Sequence, residues 1–294
     1  MSGTRMINVR GRSTRLRIDG DPSTPPVVLL HGIGRSLEDW AAVTVRLAPD
    51  FRVIGLDLPG FGFSARRPER ATLKSFALGV RETLDALGEH RPVHLLGNSL
   101  GGAVALQFQA MVPERVASLA LADAAGFGSE VAPMLRLIAT PVIGRLLTMR
   151  TTALSAKMTE RSLYANAAFA TPTRIAHALA ISEQPDPGDV ARETVQALAT
   201  IRGIRQQWRE ELFESVAQHP RPTLVMWGGM DRVLPAKQLD TVRRLVPHAQ
   251  THLFAGVGHA PQIECPDALA EVVRDFIATV PPPSGARTSK STRS

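Results

Sequence analysis

Leu95-Leu96-Gly97-Asn98-Ser99-Leu100-Gly101-Gly102 is the stretch on which the reading of the whole chain turns. Behind the breaker Pro92, the apolar run Val93-His94-Leu95-Leu96 predicts a short buried strand. After it, Ala103-Val104-Ala105-Leu106-Gln107-Phe108 predicts the opening turns of a buried helix. Between them lies G-x-S-x-G, a strand-to-helix turn that holds a serine on a strained corner. The geometry serves two needs. The hydroxyl stands clear of the sheet, and the backbone N–H of Leu100 points at an oxyanion at the helix N-terminus. Gly97 and Gly101 leave room where a Cβ would strike neighbouring backbone. A bare G-x-S-x-G is common in loops. One set between a buried strand and a buried helix marks Ser99 as a candidate nucleophile, against the plainer reading of a structural turn.

On either side the chain alternates. Met6 to Ile18 predicts an edge hairpin around Gly11-Arg12-Ser13, and Val27-Val28-Leu29-Leu30 a buried strand running into His31-Gly32-Ile33-Gly34. Ser36 is placed to cap a helix from Leu37 to Leu47. Strand Arg52 to Leu56 precedes Asp57-Leu58-Pro59-Gly60, a helix over about 73–87 leads to the serine strand, and Val116 to Ala122 is another apolar strand ending at Asp123. Strand and helix in turn with short loops predict a doubly wound α/β fold with a mostly parallel sheet. The alternation then stops. Residues 125–205 show helical periodicity broken by prolines, and it resumes with strand Pro222 to Trp227, a helix over 236–245, strand Thr251 to Phe254 and a last helix over about 267–280. The expected organisation is a first core segment over 1–124, a helical cap over 125–205, a second core segment over 206–280, and a disordered basic tail over 281–294.

Composition bounds the function. With 294 residues, 44% of them hydrophobic, the chain can bury a large core. An aromatic content of 5% argues against base stacking on nucleic acid, and the single Cys265 excludes an internal disulfide and a cysteine zinc site. That usage suits a reducing cytoplasm. No signal peptide is evident, and no apolar run reaches the ~18 residues of a spanning helix. The net charge of +7 is spread over scattered arginines, so it predicts a solvated surface or an attraction to anionic membrane rather than a nucleic-acid partner.

Five motifs stand at the ends of expected strands: H-G-I-G at His31, D-L-P-G-F-G-F-S at Asp57, G-N-S-L-G-G at Gly97, W-G-G-M-D-R-V-L-P at Trp227 and G-V-G-H at Gly256. In this order they resemble the α/β-hydrolase family, in its cap-bearing esterase, lipase and C–C hydrolase branch. The similarity runs from Val27 to Val280. It implies an eight-stranded, mostly parallel sheet and a Ser, acid, His triad. The residues speak for the same set. A serine needs a base, and His259 stands in a glycine-flanked loop directly after a strand. His31 is its main rival, although the resemblance gives that histidine a bracing role. Asp231, in Gly-Gly-Met-Asp after a buried strand, fits the acid that orients the imidazole, and Asp123 competes because some branches put the acid after the preceding strand. Asp57 is read as structural. The resemblance also implies the backbone N–H of Ile33 as second oxyanion donor beside that of Leu100.

Serine at position 99 separates this chain from relatives whose nucleophile is a carboxylate. No metal cluster, phosphate loop or dinucleotide fingerprint is present, so no cofactor and no metal are expected. G-N-S-x-G-G resembles the meta-cleavage hydrolases of 2-hydroxy-6-oxo-dienoates. Two departures oppose that reading: the loop after His31-Gly32 is short, and Ala260 rather than Trp follows His259. Carboxylic-ester hydrolysis therefore leads, C–C hydrolysis is second, and an inactive binding protein on the same scaffold is third. The expected partner is a small-molecule ester, lipid-like esters included. Met134 to Arg150, apolar with only positive charges, is expected either to pack onto the core or to form a lid that touches anionic membrane. The oligomeric state is left open.

Overall fold

The computed structural model describes residues 3–281, and the expected basic tail lies almost wholly outside them. Eight strands form one sheet in the order β1 (Gly3–Val9), β2 (Arg12–Asp19), β4 (Arg52–Leu56), β3 (Pro26–Leu30), β5 (Val93–Asn98), β6 (Val116–Ala122), β9 (Thr223–Gly228) and β10 (Gln250–Phe254). From β4 to β10 all neighbours run parallel, while β1 and β2 pair antiparallel at one edge. Arg10 and Gly11 both take positive φ, at 50° and 80°, which is the geometry of a two-residue hairpin turn matched to strand twist.

Alternate residues of the central strands feed two cores. Val28, Leu30, Leu95, Val225 and Trp227 face α2 (Leu73–Ala86), α3 (Leu100–Met111) and α9 (Gln206–Gln218). Val27, Leu29, Leu96, Leu224 and Met226 face α1 (Ala41–Leu47) and α12 (Pro266–Ala278) on the other side. Burial on both faces is why these strands read as continuous apolar runs. Between β6 and α9 lie α4 (Pro133–Ile138), α5 (Pro141–Thr148), α6 (Ala153–Leu163), α7 (Pro172–Ser182) and α8 (Pro187–Leu198), each opening at or one residue after a proline except α6. A proline at a helix start loses no hydrogen bond there.

Several local expectations change. The insertion holds a two-residue ladder, β7 (Ala199–Thr200) with β8 (Gly203–Ile204), too short for a hydrophobic pattern to show. The helix expected over 236–245 is a 3-10 turn, Ala236–Thr241, and a single α turn, α10 (Val242–Leu245). Leu37–Trp40 is likewise 3-10 before α1, and Ser36 does not cap it. Its Oγ donates to Glu38 Oε2 and meets His177 Nε2 from α7 instead, because the cap domain brings a competing partner. A short α11 (Pro261–Glu264) precedes α12. No described helix is long and apolar enough to cross a membrane.

Candidate active site

At the end of β5 the backbone turns abruptly. Ser99 has φ 56° and ψ −116°, a conformation that side chains rarely adopt, and α3 begins at the next residue. The two glycines make this path possible by close approach. A Cβ on Gly97 would lie 2.4 Å from the Gly101 carbonyl oxygen, and one on Gly101 would lie 2.1 Å from that of Leu30. Ser99 therefore sits at the helix N-terminus with its side chain in the cavity above the sheet. Among the described residues, neither the Leu100 N–H nor the Ile33 N–H donates to a backbone carbonyl, and both residues line a cavity with Ser99.

The loop after β10 brings His259 to the same cavity. Its Nδ1 donates to Asp231 Oδ2 at 2.7 Å, which leaves Nε2 as the nitrogen free to accept a proton. Asp231 follows β9, and its other oxygen accepts the backbone N–H groups of Val233 (2.7 Å) and Leu234 (3.0 Å). The carboxylate is thus fixed from both ends. Among the described residues no hydrogen bond joins Ser99 Oγ to His259 Nε2; in an unliganded site such a contact commonly tightens only when substrate arrives.

The rival residues are occupied elsewhere. His31 is fully buried, with Nδ1 donating to the Gly32 carbonyl at 2.7 Å and Nε2 accepting from the Leu58 N–H at 2.9 Å. Burial pushes its pKa below the usual histidine value, so it stays neutral and braces the loop that carries Ile33. Asp57 accepts from Leu37 N–H, Phe63 N–H and Arg15, which ties three segments together. Asp123 lies beside Asp231 and not against His259 Nδ1; its Oδ1 accepts the Gly228 N–H at 2.8 Å. One donor atom from each of Asp123, Asp231 and His259 falls within a 4.8 Å group. That spacing would admit a cation. The His259 nitrogen facing Asp231 is already bonded to it, so the donor set reads as a carboxylate–imidazole pair with a second acid behind it.

Two residues in the site escaped the sequence reading. Asn98 Nδ2 donates to the carbonyls of His259 (3.0 Å) and Ala122 (3.2 Å), fastening the histidine loop to the strand that carries Ser99. Glu264 accepts the Gly258 N–H with one oxygen and the Ala165 and Asn166 N–H groups with the other. Together with the His259 N–H donating to the Leu163 carbonyl at 2.7 Å, this links the histidine loop to the cap. Asn98 lay inside the motif, but nothing local says which distant carbonyl it serves.

Two lobes meet at Ser99. The smaller, about 60 Å³, is walled by apolar groups including Leu198, Ile204 and Trp208. The larger, about 280 Å³, lies between the loop 32–35, His259 and the α4 residues Met134, Leu135 and Ile138. Among the described residues, Arg35 is the one arginine or lysine lining either lobe. It is held by both oxygens of Asp39, at 2.7 and 2.8 Å, and by the buried Glu160 of α6.

A family model described as the alpha/beta hydrolase fold matches residues 25–266. The dihydrolipoyllysine-residue acetyltransferase component of the acetoin cleaving system from Pseudomonas putida is 33% identical over 269 residues, 92% of this chain and 68% of that protein. Lipase 1 of Psychrobacter immobilis is 28% identical over 262 residues, 88% of this chain and 78% of that lipase. Among solved structures, the meta-cleavage product hydrolase from Pseudomonas fluorescens IP01 superposes with a TM-score of 0.78 at 25% identity, over 94% of this chain and 98% of that one.

Proposed function

Because the chain belongs to the α/β-hydrolase family, we propose that it is a serine hydrolase of carboxylic esters, acting through an acyl-enzyme on Ser99. His259 Nε2 takes the Ser99 proton as the hydroxyl attacks the ester carbonyl. Asp231 holds the imidazole tautomer and stabilises the imidazolium that forms. The N–H groups of Ile33 and Leu100 receive the developing oxyanion. His259 then protonates the leaving alcohol, and a water molecule repeats the sequence to release the acid.

The observation that carries the ester reading is that no unpaired cation lines the cavity among the described residues. A 2-hydroxy-6-oxo-dienoate brings a carboxylate into the site, and burying that charge needs an unpaired cation. Arg35 is already matched by two carboxylates, Asp39 and Glu160. An uncharged ester with apolar portions on both sides of the carbonyl meets no such penalty in two largely apolar lobes. This supports ester cleavage over C–C cleavage, although the fold is shared with a meta-cleavage hydrolase.

The outer side of the cap points to where such an ester comes from. Val142, Leu146, Met149, Leu154 and Met158 are each 62–72% exposed. No acidic residue occurs over positions 131–159, which include Arg136, Arg145, Arg150 and Lys157. An apolar face among cations suits an anionic lipid surface, and α6, which carries Leu154 and Met158, also lines the larger lobe through Thr159, Ser162 and Leu163. The enzyme is accordingly proposed to be cytoplasmic with peripheral membrane contact, and its substrate lipid-like.

The test is a panel of p-nitrophenyl esters of increasing acyl length beside a 2-hydroxy-6-oxo-dienoate. Each methylene that enters an apolar lobe adds about 0.8 kcal/mol, so kcat/KM is expected to rise about fourfold per carbon from acetate until the lobe is filled. The dienoate is expected to be untouched. Cleavage of the dienoate with idle esters would overturn the reading.

A further inference from the structure

Asp123 is the feature of the site that the triad leaves unexplained. It follows β6 directly with φ 48°, is fully buried, and makes no ion pair with an arginine or lysine among the described residues. Its N–H donates to the Met226 carbonyl and its Oδ1 accepts from Gly228, so backbone on both sides fixes where it points. Among the described residues, Oδ2 has no hydrogen-bond partner. The groups that face it are Asp231 and Glu264, His259 on the far side of Asp231, and the Cys265 thiol. Two carboxylates this close in a buried place are not both ionised without a cation between them. Asp231 is the one that must carry the charge, since it accepts two backbone N–H groups and the imidazole N–H. A carboxylate offers about four lone-pair sites, and these contacts use three.

Resting on the triad reading above, we propose that Asp123 is a positioning residue that holds a proton and donates it from Oδ2 to the remaining site on Asp231. The donation completes the hydrogen bonding of Asp231 and locks its plane toward His259. It also spreads the Asp231 charge, which weakens the hold of Asp231 on the imidazolium. Burial and the neighbouring Asp231 push the Asp123 carboxyl well above the usual carboxylate range, in keeping with a neutral acid. The Glu264 carboxylate acts in the same direction.

Asn is close in shape to a protonated Asp: its oxygen can accept from Gly228 and its amide can donate to Asp231. Asp123→Ala removes both. Hydrolysis of whichever substrate the panel identifies, followed against pH, reads the difference. Asp123→Ala is expected to lose about tenfold or more in kcat/KM, the scale of one hydrogen bond to a charged group, and its acid limb to move to higher pH. Asp123→Asn is expected to restore the rate and return the limb to its wild-type position. A merely structural Asp123 would lower the rate without moving the limb. An ionised Asp123 would give the opposite sign, because Asp123→Asn would delete a charge near His259 and move the limb to lower pH. Either result overturns the proposal. Infrared difference spectra of wild type against Asp123→Asn need no substrate and therefore stand even if the ester reading fails. A protonated-carboxyl carbonyl band present in wild type and lost in the variant is expected; its absence from wild type overturns the proposal, whether or not Asp123→Ala folds.

Discussion

Ser99 occupies backbone that costs about 1–3 kcal/mol to hold, and its position explains where that strain is offset. The turn is clamped by the close packing of Gly97 against Gly101 and of Gly101 against β3, so the serine cannot relax without opening the sheet. A residue in the strand that leads to Ser99 stores free energy differently. His94 is buried against Ser118 Oγ at 2.8 Å, and burial lowers its pKa from 6.5 to about 4. In the unfolded chain it takes up a proton near pH 6.5, while the folded chain resists until about pH 4. Stability is therefore full above pH 6.5 and falls as pH drops toward 4, by up to about 3 kcal/mol from this group. Urea midpoints at pH 7 and pH 4.5 are expected to differ less in His94→Gln than in wild type; equal differences would contradict the account. At this scale the placement of Ser99, His259 and Asp231 after strand ends was most legible, and the fold brings His259 against Asp231 and into the cavity that Ser99 lines. Asn98 and Glu264 were illegible because their roles lie in carbonyls and N–H groups brought near only by the fold.

Elements were legible in proportion to their burial. β3, β5, β6 and β9 are apolar on both faces and read plainly from the sequence, whereas β10 is mostly exposed and shows little beyond its length. The 3-10 turns and the β7–β8 ladder are too short for any periodicity to build up. The cap helices carry the element-scale prediction. α5 buries only Gly144, and its remaining face is left to solvent or to another surface. Vesicles with an anionic phospholipid are expected to bind the protein, more weakly as salt rises, because exposed charges are screened. Leu146→Glu combined with Met149→Glu is expected to weaken that binding at least tenfold, each lost apolar contact being worth about 1.5–3 kcal/mol. Equal indifference of the wild-type protein to anionic and zwitterionic vesicles would leave the cap as packing alone.

On the scale of the whole molecule, one site is assembled from two distant pieces of chain. Ser99 comes from the first core segment, Asp231 and His259 from the second, and the cap between them touches both through Arg35–Glu160 and through Leu163 with His259. We propose that this assembly makes Ser99, among all the hydroxyls of the chain, a nucleophile. A fluorophosphonate probe tests it most directly, since it forms a stable bond only to an activated serine. The account predicts one probe per chain, located on the peptide that carries Ser99, with ester turnover lost in proportion to labelling and no labelling of Ser99→Ala. Full ester turnover after prolonged exposure to the probe, or a label on another residue, would contradict it.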